Sequence, residues 1–321
     1  MKASWKTIIT YILFILLGIS ISSGFFIIKN NKNNKKEVDL LAKELIEKEL
    51  IEKKIKFNKS IKTEITNKLN LKAESFFVAD IDSEEIIFQK NPDKKLGIAS
   101  LTKIATTAIA LKNNTNNKKL QIKREFITYT SSYNNLIPNE IFDFNKALEL
   151  MFITSSNDIA LSVAYNNENR IENYNYFLEK MNKLADDLNM KSTIFFSPTG
   201  LDEKSNINGS YSSSSDIFKL VKFFYKNYPV FIQNVTVPKK EICSNIFCHK
   251  LENTNPLIST TPNIIFSKTG WTDEKDGSLS LIYEINNKKY IIIVLGSTKE
   301  GRFIDSTELI NALTNYLIKK K

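Results

Sequence analysis

Ser100-Leu101-Thr102-Lys103 sets a hydroxyl three residues ahead of an amine. On a helix, side chains at that spacing share a face, so the lysine can touch the serine. Burial would disfavour the ammonium form, and the neutral amine could then take the serine proton and leave a nucleophile. A helix start at Ser100 would also favour negative charge developing there. A Ser and a Lys three apart are common on ordinary helices, so the pair gains meaning only from the rest of the chain.

Two further segments supply partners. Ser155-Ser156-Asn157 lies between the helical pattern Phe144 to Met151 and the small-residue run Ile159-Ala160-Leu161-Ser162. A hydroxyl and an amide at that junction can relay a proton and hold a substrate carbonyl. Lys268-Thr269-Gly270 closes the apolar run Ile264-Ile265-Phe266, as at a strand end, with Gly270 leaving space for a substrate backbone. Ser132-Tyr133-Asn134 has the same Ser-x-Asn form but sits in a polar loop and is set aside. A Ser-His-Asp hydrolase is poorly supported, because Gly-x-Ser-x-Gly is absent and the one histidine, His249, follows Cys248. One histidine and two cysteines cannot make a four-ligand zinc site, so neither metal nor cofactor is expected.

The elements that must carry these residues follow from periodicity. Strand-like runs at Ser75 to Ala79 and Glu85 to Gln89 end at Asn91-Pro92-Asp93. Leu101, Ile104, Ala105, Ala108 and Leu111 then fall at helical spacing up to Asn113-Asn114. Near the C-terminus Leu279, Leu281 and Tyr283 alternate, Asn286-Asn287 can turn the chain, and Tyr290 to Leu295 returns as a buried strand. Leu309, Leu313, Tyr316 and Leu317 form a closing amphipathic helix. Strands at both ends with helices between imply an α+β fold in which one sheet is built from both termini.

Ser-x-x-Lys, Ser-x-Asn and Lys-Thr-Gly, in that order, resemble the active-site set of penicillin-binding enzymes and serine β-lactamases. Phe196-Ser197-Pro198-Thr199-Gly200-Leu201-Asp202 and Ser156-Asn157-Asp158 are similar to the low-molecular-weight D-alanyl-D-alanine carboxypeptidases, serine peptidase family S11, over roughly residues 72 to 320. The resemblance implies a penicillin-binding-protein (transpeptidase-like) fold, an antiparallel sheet flanked by helices with a helical subdomain. It implies that Ser100 is acylated, Lys103 is the general base, Ser155 helps protonate the leaving D-alanine, and Asn157 positions the peptide. Lys268 and Thr269 would bind the substrate carboxylate, and the backbone N–H groups of Ser100 and Trp271 would form the oxyanion hole, one such donor being worth about 3 kcal/mol. The Trp271 indole is expected to pack in the wall of the site. Gly301-Arg302 resembles a position on the family's active-site rim. The implied substrate is the peptidoglycan stem peptide, with β-lactams as covalent inhibitors.

Two departures touch fine specificity: Ser156 stands where the family often has glycine, and Asp276-Gly277 replaces its usual Ala-Gly. The nearest rival is a serine β-lactamase, but the class A Glu-x-x-Leu-Asn string is absent. A penicillin-sensing or wall-binding module with weak turnover is the other alternative. Arg302 also stands out by composition, because Arg124, Arg170 and Arg302 are the only arginines among 45 basic residues. A planar guanidinium grips a carboxylate through two parallel hydrogen bonds, which an ammonium cannot, and an exopeptidase must recognise a free C-terminus.

Thr7 to Ile28 is a run of 22 residues without charge, long enough to cross a bilayer core of about 30 Å. Residues 1–36 are thus expected to be a membrane anchor with its basic flank, residues 37–70 a charged helical stalk, and residues 71–321 the catalytic domain. The anchor is read as uncleaved, since Phe25 to Ile28 continue the apolar run past Ser22, Ser23 and Gly24. Lys29, Lys32, Lys35 and Lys36 would by count hold that side in the cytoplasm, whereas the implied substrate demands the catalytic domain outside. In the stalk, Lys43-Glu44-Leu45-Ile46-Glu47 repeats as Lys48 to Glu52, and a five-residue repeat winds its leucines around the helix in place of a seam.

An exported chain meets oxidising chemistry, so a Cys243 to Cys248 disulfide is expected. If Asn245-Ile246 is a two-residue hairpin turn, the cysteines face each other with Cα atoms about 4.5 Å apart. The net charge of +10 is almost all lysine and reads as a solvated surface, and no arginine-rich or aromatic-interleaved stretch suggests nucleic acid.

Overall fold

A computed structural model describes residues 32–112, 119–128, 133–165, 170–201, 209–272 and 277–320. In chain order the helices are α1 (Lys32–Lys68), α2 (Lys103–Lys112), α3 (Phe144–Thr154), α4 (Asn157–Ala164), α5 (Arg170–Asp187), α6 (Ser214–Asn227), α7 (Pro229–Val235), α8 (Leu257–Thr260) and α9 (Gly301–Lys319). The strands are β1 (Ser75–Asp80), β2 (Ile86–Lys90), β3 (Leu96–Gly97), β4 (Lys119–Gln121), β5 (Ile141–Asp143), β6 (Ile194–Phe195), β7 (Ser210–Ser212), β8 (Lys239–Cys243), β9 (Cys248–Glu252), β10 (Ile264–Gly270), β11 (Gly277–Ile285) and β12 (Lys288–Ser297).

The chain divides into two units, Met1–Lys59 and Ser60–Lys321. In the first, α1 leaves Leu45, Leu50 and Ile55 in solvent, and its surface carries the i,i+4 pair Glu49–Lys53. The expected span over residues 7–28 lies outside the described residues, among which no helix is long and apolar enough to cross a membrane. The second unit takes in the last turns of α1. Ile61 and Ile65, four residues apart on the last turns of α1, are buried against the core formed with α9.

Five antiparallel strands in the order β10-β11-β12-β1-β2 form the main sheet, so strands from both ends of the domain pair directly, Phe76 opposite Val294 and Phe77 opposite Ile293. Strand periodicity sorts their side chains into two cores. Phe76, Val78, Ile292 and Val294 pack toward Leu309, Leu313 and Tyr316 of α9. Phe77, Ala79, Ile291, Ile293 and Leu295 face the other way, toward a larger cluster with Phe218 and Val221 of α6 and Ile104 and Ala108 of α2. Burial on both faces explains why β12 is a continuous apolar run. Asn286 and Asn287, with φ of 53° and 58°, make the tight turn between β11 and β12.

The hairpin β8–β9 pairs Cys243 with Cys248, whose sulfurs are bonded and whose Cα atoms are 3.9 Å apart, closer than the spacing expected from the turn. Ser244 N–H donates to the Phe247 carbonyl, which closes the turn over Asn245-Ile246.

Candidate active site

Ser100 lies in a short 3-10 turn, Ala99–Thr102, that runs straight into α2. Two glycines press this turn into place. A Cβ on Gly200 would stand 2.0 Å from the Ala99 carbonyl oxygen, and one on Gly270 would stand 2.7 Å from the Ile98 carbonyl oxygen and 3.2 Å from Ser100 N. Ala99 itself takes a φ of 46°, the left-handed region that a residue with a Cβ rarely enters. The nucleophile candidate is therefore presented on a strained backbone held from two sides.

Lys103 is fully buried one turn on. Its Nζ lies 2.9 Å from Ser100 Oγ, 2.7 Å from Asn157 Oδ1 and 2.7 Å from the Thr199 carbonyl oxygen. Burial holds its pKa well below the usual lysine range; the positive charge of Lys268 adds to this and Asp158 opposes it. The last two partners can only accept hydrogen bonds. A neutral amine would direct its two N–H bonds at them and turn its lone pair toward the Ser100 hydroxyl.

Asn157 begins α4, whose N-cap is Ser156: the Ser156 Oγ accepts from Ile159 N. This gives the serine that stands where the family often has glycine a local capping task. Ser155 ends α3 in the left-handed conformation, φ 62° and ψ 30°, which swings its side chain into the site. Its Oγ accepts from Lys268 Nζ at 3.0 Å. Lys268 is also buried and donates to the Thr269 carbonyl; burial first, and then the charge of Arg302, push its pKa down to about 7.

Arg302 sits in the first turn of α9 and is 8% exposed. Its Nη1 donates to the Gly270 carbonyl at 2.5 Å, while its Nε has no hydrogen-bond partner among the described residues. Trp271, just past the end of β10 at Gly270, is 37% exposed, with the Lys299 ammonium 4.3 Å from its ring centroid.

The fold thus gathers Ser100, Lys103, Ser155, Asn157, Lys268, Thr269 and Gly270 from five elements, the 3-10 turn, α2, the end of α3, α4 and β10, with Arg302 behind the strand end. Of the set-aside Ser132-Tyr133-Asn134, Ser132 lies outside the described residues, and the Tyr133 hydroxyl is bonded to His249. His249 is buried against Glu140 at 2.8 Å beneath the β8–β9 hairpin. Asp202 and Asp276 lie outside the described residues. Two residues to which the sequence reading gave no role enter the network: Thr199, through its carbonyl, and Thr254, whose hydroxyl accepts from Thr269 Oγ1 at 2.7 Å.

Comparison with known proteins identifies relatives of the whole domain. The chain is 27% identical over 257 residues to the D-alanyl-D-alanine carboxypeptidase DacF of Bacillus subtilis, covering 77% of this chain and 63% of that protein. It is 29% identical over 246 residues to a D-alanyl-D-alanine endopeptidase of Pseudomonas aeruginosa, covering 73% of this chain and 75% of that protein. Its fold matches the Streptomyces K15 DD-transpeptidase with a TM-score of 0.69 at 23% identity, over 76% of this chain and 98% of that one. A D-alanyl-D-alanine carboxypeptidase from Mycobacterium tuberculosis gives a TM-score of 0.68 at 21% identity, over 78% of this chain and 92% of that one. The penicillin-binding-protein fold is therefore shared, with its antiparallel sheet and flanking helices. The family profile for D-alanyl-D-alanine carboxypeptidases matches residues 60–299, and the chain belongs to that family, peptidase S11.

Proposed function

We propose that the protein is a serine-type carboxypeptidase that removes the terminal D-alanine from peptidoglycan stem peptides through an acyl-enzyme on Ser100. The observation that carries this reading is the placement of buried Lys103 between two acceptor-only partners and the Ser100 hydroxyl. Neutral Lys103 takes the Ser100 proton as Oγ attacks the penultimate D-alanine carbonyl, and the developing oxyanion faces the backbone N–H groups of Ser100 and Trp271. The C–N bond then breaks. Ser155 delivers a proton to the departing amine and is resupplied by the protonated lysine. Water attacks the ester carbonyl as it gives up a proton to Lys103, and Lys103 returns that proton to Ser100 Oγ as the acyl C–O bond breaks, releasing the shortened peptide and restoring Ser100 and neutral Lys103.

Asn157 holds the peptide backbone, and Lys268, Thr269 and Arg302 supply the positive pocket for the C-terminal carboxylate; the space that Gly270 leaves is taken by the turn from Ile98 to Ser100 and not, as the sequence had suggested, by substrate. A β-lactam would acylate Ser100 by the same route. Incubating the full chain with a pentapeptide stem and weighing the products tests the reading: loss of one alanine supports it, and an unchanged peptide sinks it. A cross-linked dimer in a parallel incubation reports endopeptidase activity, the activity named for the Pseudomonas relative.

Residues 7–28 are proposed to anchor the protein in the cytoplasmic membrane as an uncleaved N-in span, with the catalytic domain on the extracytoplasmic side. The uncharged run and the external position of the proposed substrate support this. Protease added to intact spheroplasts should digest the domain, and protection would refute the topology.

A further inference from the structure

Thr254 lies in the turn between β9 and α8, outside every short motif, yet it touches two parts of the site at once. Its hydroxyl accepts from Thr269 Oγ1 at 2.7 Å, and its backbone N–H donates to the Ile153 carbonyl at 3.2 Å. Ile153 belongs to the last turn of α3, where carbonyls lack intrahelical donors, and Ser155 follows immediately as the C-cap. One residue therefore ties the strand that carries Lys268 and Thr269 to the helix end that carries Ser155.

The turn around Thr254 is itself fixed. Asn253 Nδ2 donates to the carbonyls of Val235 at 3.2 Å and Val237 at 3.1 Å, and Asn255 Nδ2 donates to Ser267 Oγ at 2.6 Å. Asn255 Oδ1 accepts from Leu257 N at 3.0 Å. Thr254 is held between two asparagines whose side chains are both committed to backbone or to β10, so its hydroxyl is presented at a set place.

We infer that Thr254 is a positioning residue for carboxylate recognition, acting through a hydroxyl pair that reverses when substrate binds. In the substrate-free arrangement Thr269 donates to Thr254. A carboxylate only accepts, so Thr269 must turn its hydrogen toward it. Thr269 Oγ1 then has an acceptor site to fill, and the Thr254 hydroxyl rotates to donate into it. The reversal breaks no covalent bond and moves no net charge. It leaves Thr269 hydrogen-bonded in both states, and a hydroxyl that accepts one hydrogen bond donates a stronger one. The inference rests on the carboxypeptidase reading of the same site.

The test compares Ser100 acylation by benzylpenicillin with acylation by its methyl ester, which lacks the carboxylate. Thr254→Val keeps the shape and removes the hydroxyl, and it should slow acylation by the acid roughly fivefold to tenfold with little change for the ester. The loss should appear in the concentration needed for half-maximal rate more than in the limiting rate, and Thr254→Ser should restore it. Should Thr254→Val not fold, Thr254→Ala against Thr254→Ser gives the same comparison. Equal slowing of acid and ester, or no rescue by serine, overturns the inference. A wild-type protein that neither reagent acylates overturns the carboxypeptidase reading itself, a separate result.

Discussion

Gly200 closes on the carbonyl of Ala99 so tightly that a Cβ at Gly200 would stand 2.0 Å from that oxygen and 2.7 Å from Thr102 Oγ1. Gly200 also has a φ of 76°, where a side chain costs about 1 kcal/mol or more before any clash. The turn it presses on is the one that presents Ser100, and its neighbour Thr199 supplies a carbonyl to Lys103. Gly200→Ala is therefore expected to lower the melting temperature by about 5 °C or more. Acylation of the protein that remains folded should also slow, because Ser100 and the Thr199 carbonyl shift together. A thermal scan paired with fluorescent-penicillin labelling measures both, and a variant that labels at the wild-type rate would show that the contact is not needed.

Lys103→Arg should cut acylation by about a thousandfold or more, since a guanidinium does not give up its proton to act as a base. In the wild type, the rate should climb with pH through the depressed pKa of Lys103 and reach its plateau far below the ordinary lysine value, because burial removes the proton early. A profile that keeps rising up to the ordinary lysine range would point to an exposed base elsewhere.

The motifs made the chemistry legible because Ser100 with Lys103, and Ser155 with Asn157, are close in sequence, each pair spanning one junction: the 3-10 turn with α2, and the end of α3 with the start of α4. Lys268 and Thr269 were legible as a strand end. Thr199 was not, because it contributes a backbone carbonyl, which carries no residue-type signal. Thr254 was not, because its bond to Thr269 joins residues 15 apart in sequence. Ile61 and Ile65, past the end of the five-residue repeat, fall four apart on one buried face of α1.

Lys268 should make the site cost stability in a pH-dependent way. Its pKa is pushed down to about 7 in the folded protein, against an ordinary value of 10.5. Between these values the unfolded chain holds a proton that the folded one has released, so stability rises with pH across that window and is flat with respect to this group below it. Lys268→Gln removes the contribution. Wild type should gain melting temperature relative to Lys268→Gln on going from pH 7 to pH 9.5, although the variant acylates far more slowly. Parallel curves for the two proteins would contradict the depressed pKa.

The Cys243–Cys248 bond closes a short hairpin at the tip of β8–β9, away from Ser100 in sequence, and the bonds of Lys103 Nζ to Ser100, Asn157 and Thr199 involve neither cysteine. Native, unreduced protein should resist thiol alkylation, and reduction should lower the melting temperature while changing acylation less than about twofold. Stoichiometric alkylation before reduction would mean that the two thiols are free in the isolated protein.

Arg302 holds the Gly270 carbonyl through Nη1 and keeps Nε without a partner among the described residues, and these two features separate its possible tasks. A role confined to anchoring the strand end needs one donor, which a lysine at the same place can supply. Recognition of a C-terminal carboxylate needs the planar fork, which a lysine cannot supply. Arg302→Lys should therefore leave the melting temperature close to wild type and weaken turnover of peptides ending in free D-alanine by about tenfold or more. The same peptides with an amidated C-terminus should lose much less. Arg302→Met removes both tasks, so it should lower the melting temperature as well and slow both substrates. Equal loss on acid and amide with Arg302→Lys, or no loss on either, would remove Arg302 from the carboxylate site and leave it as a strand anchor.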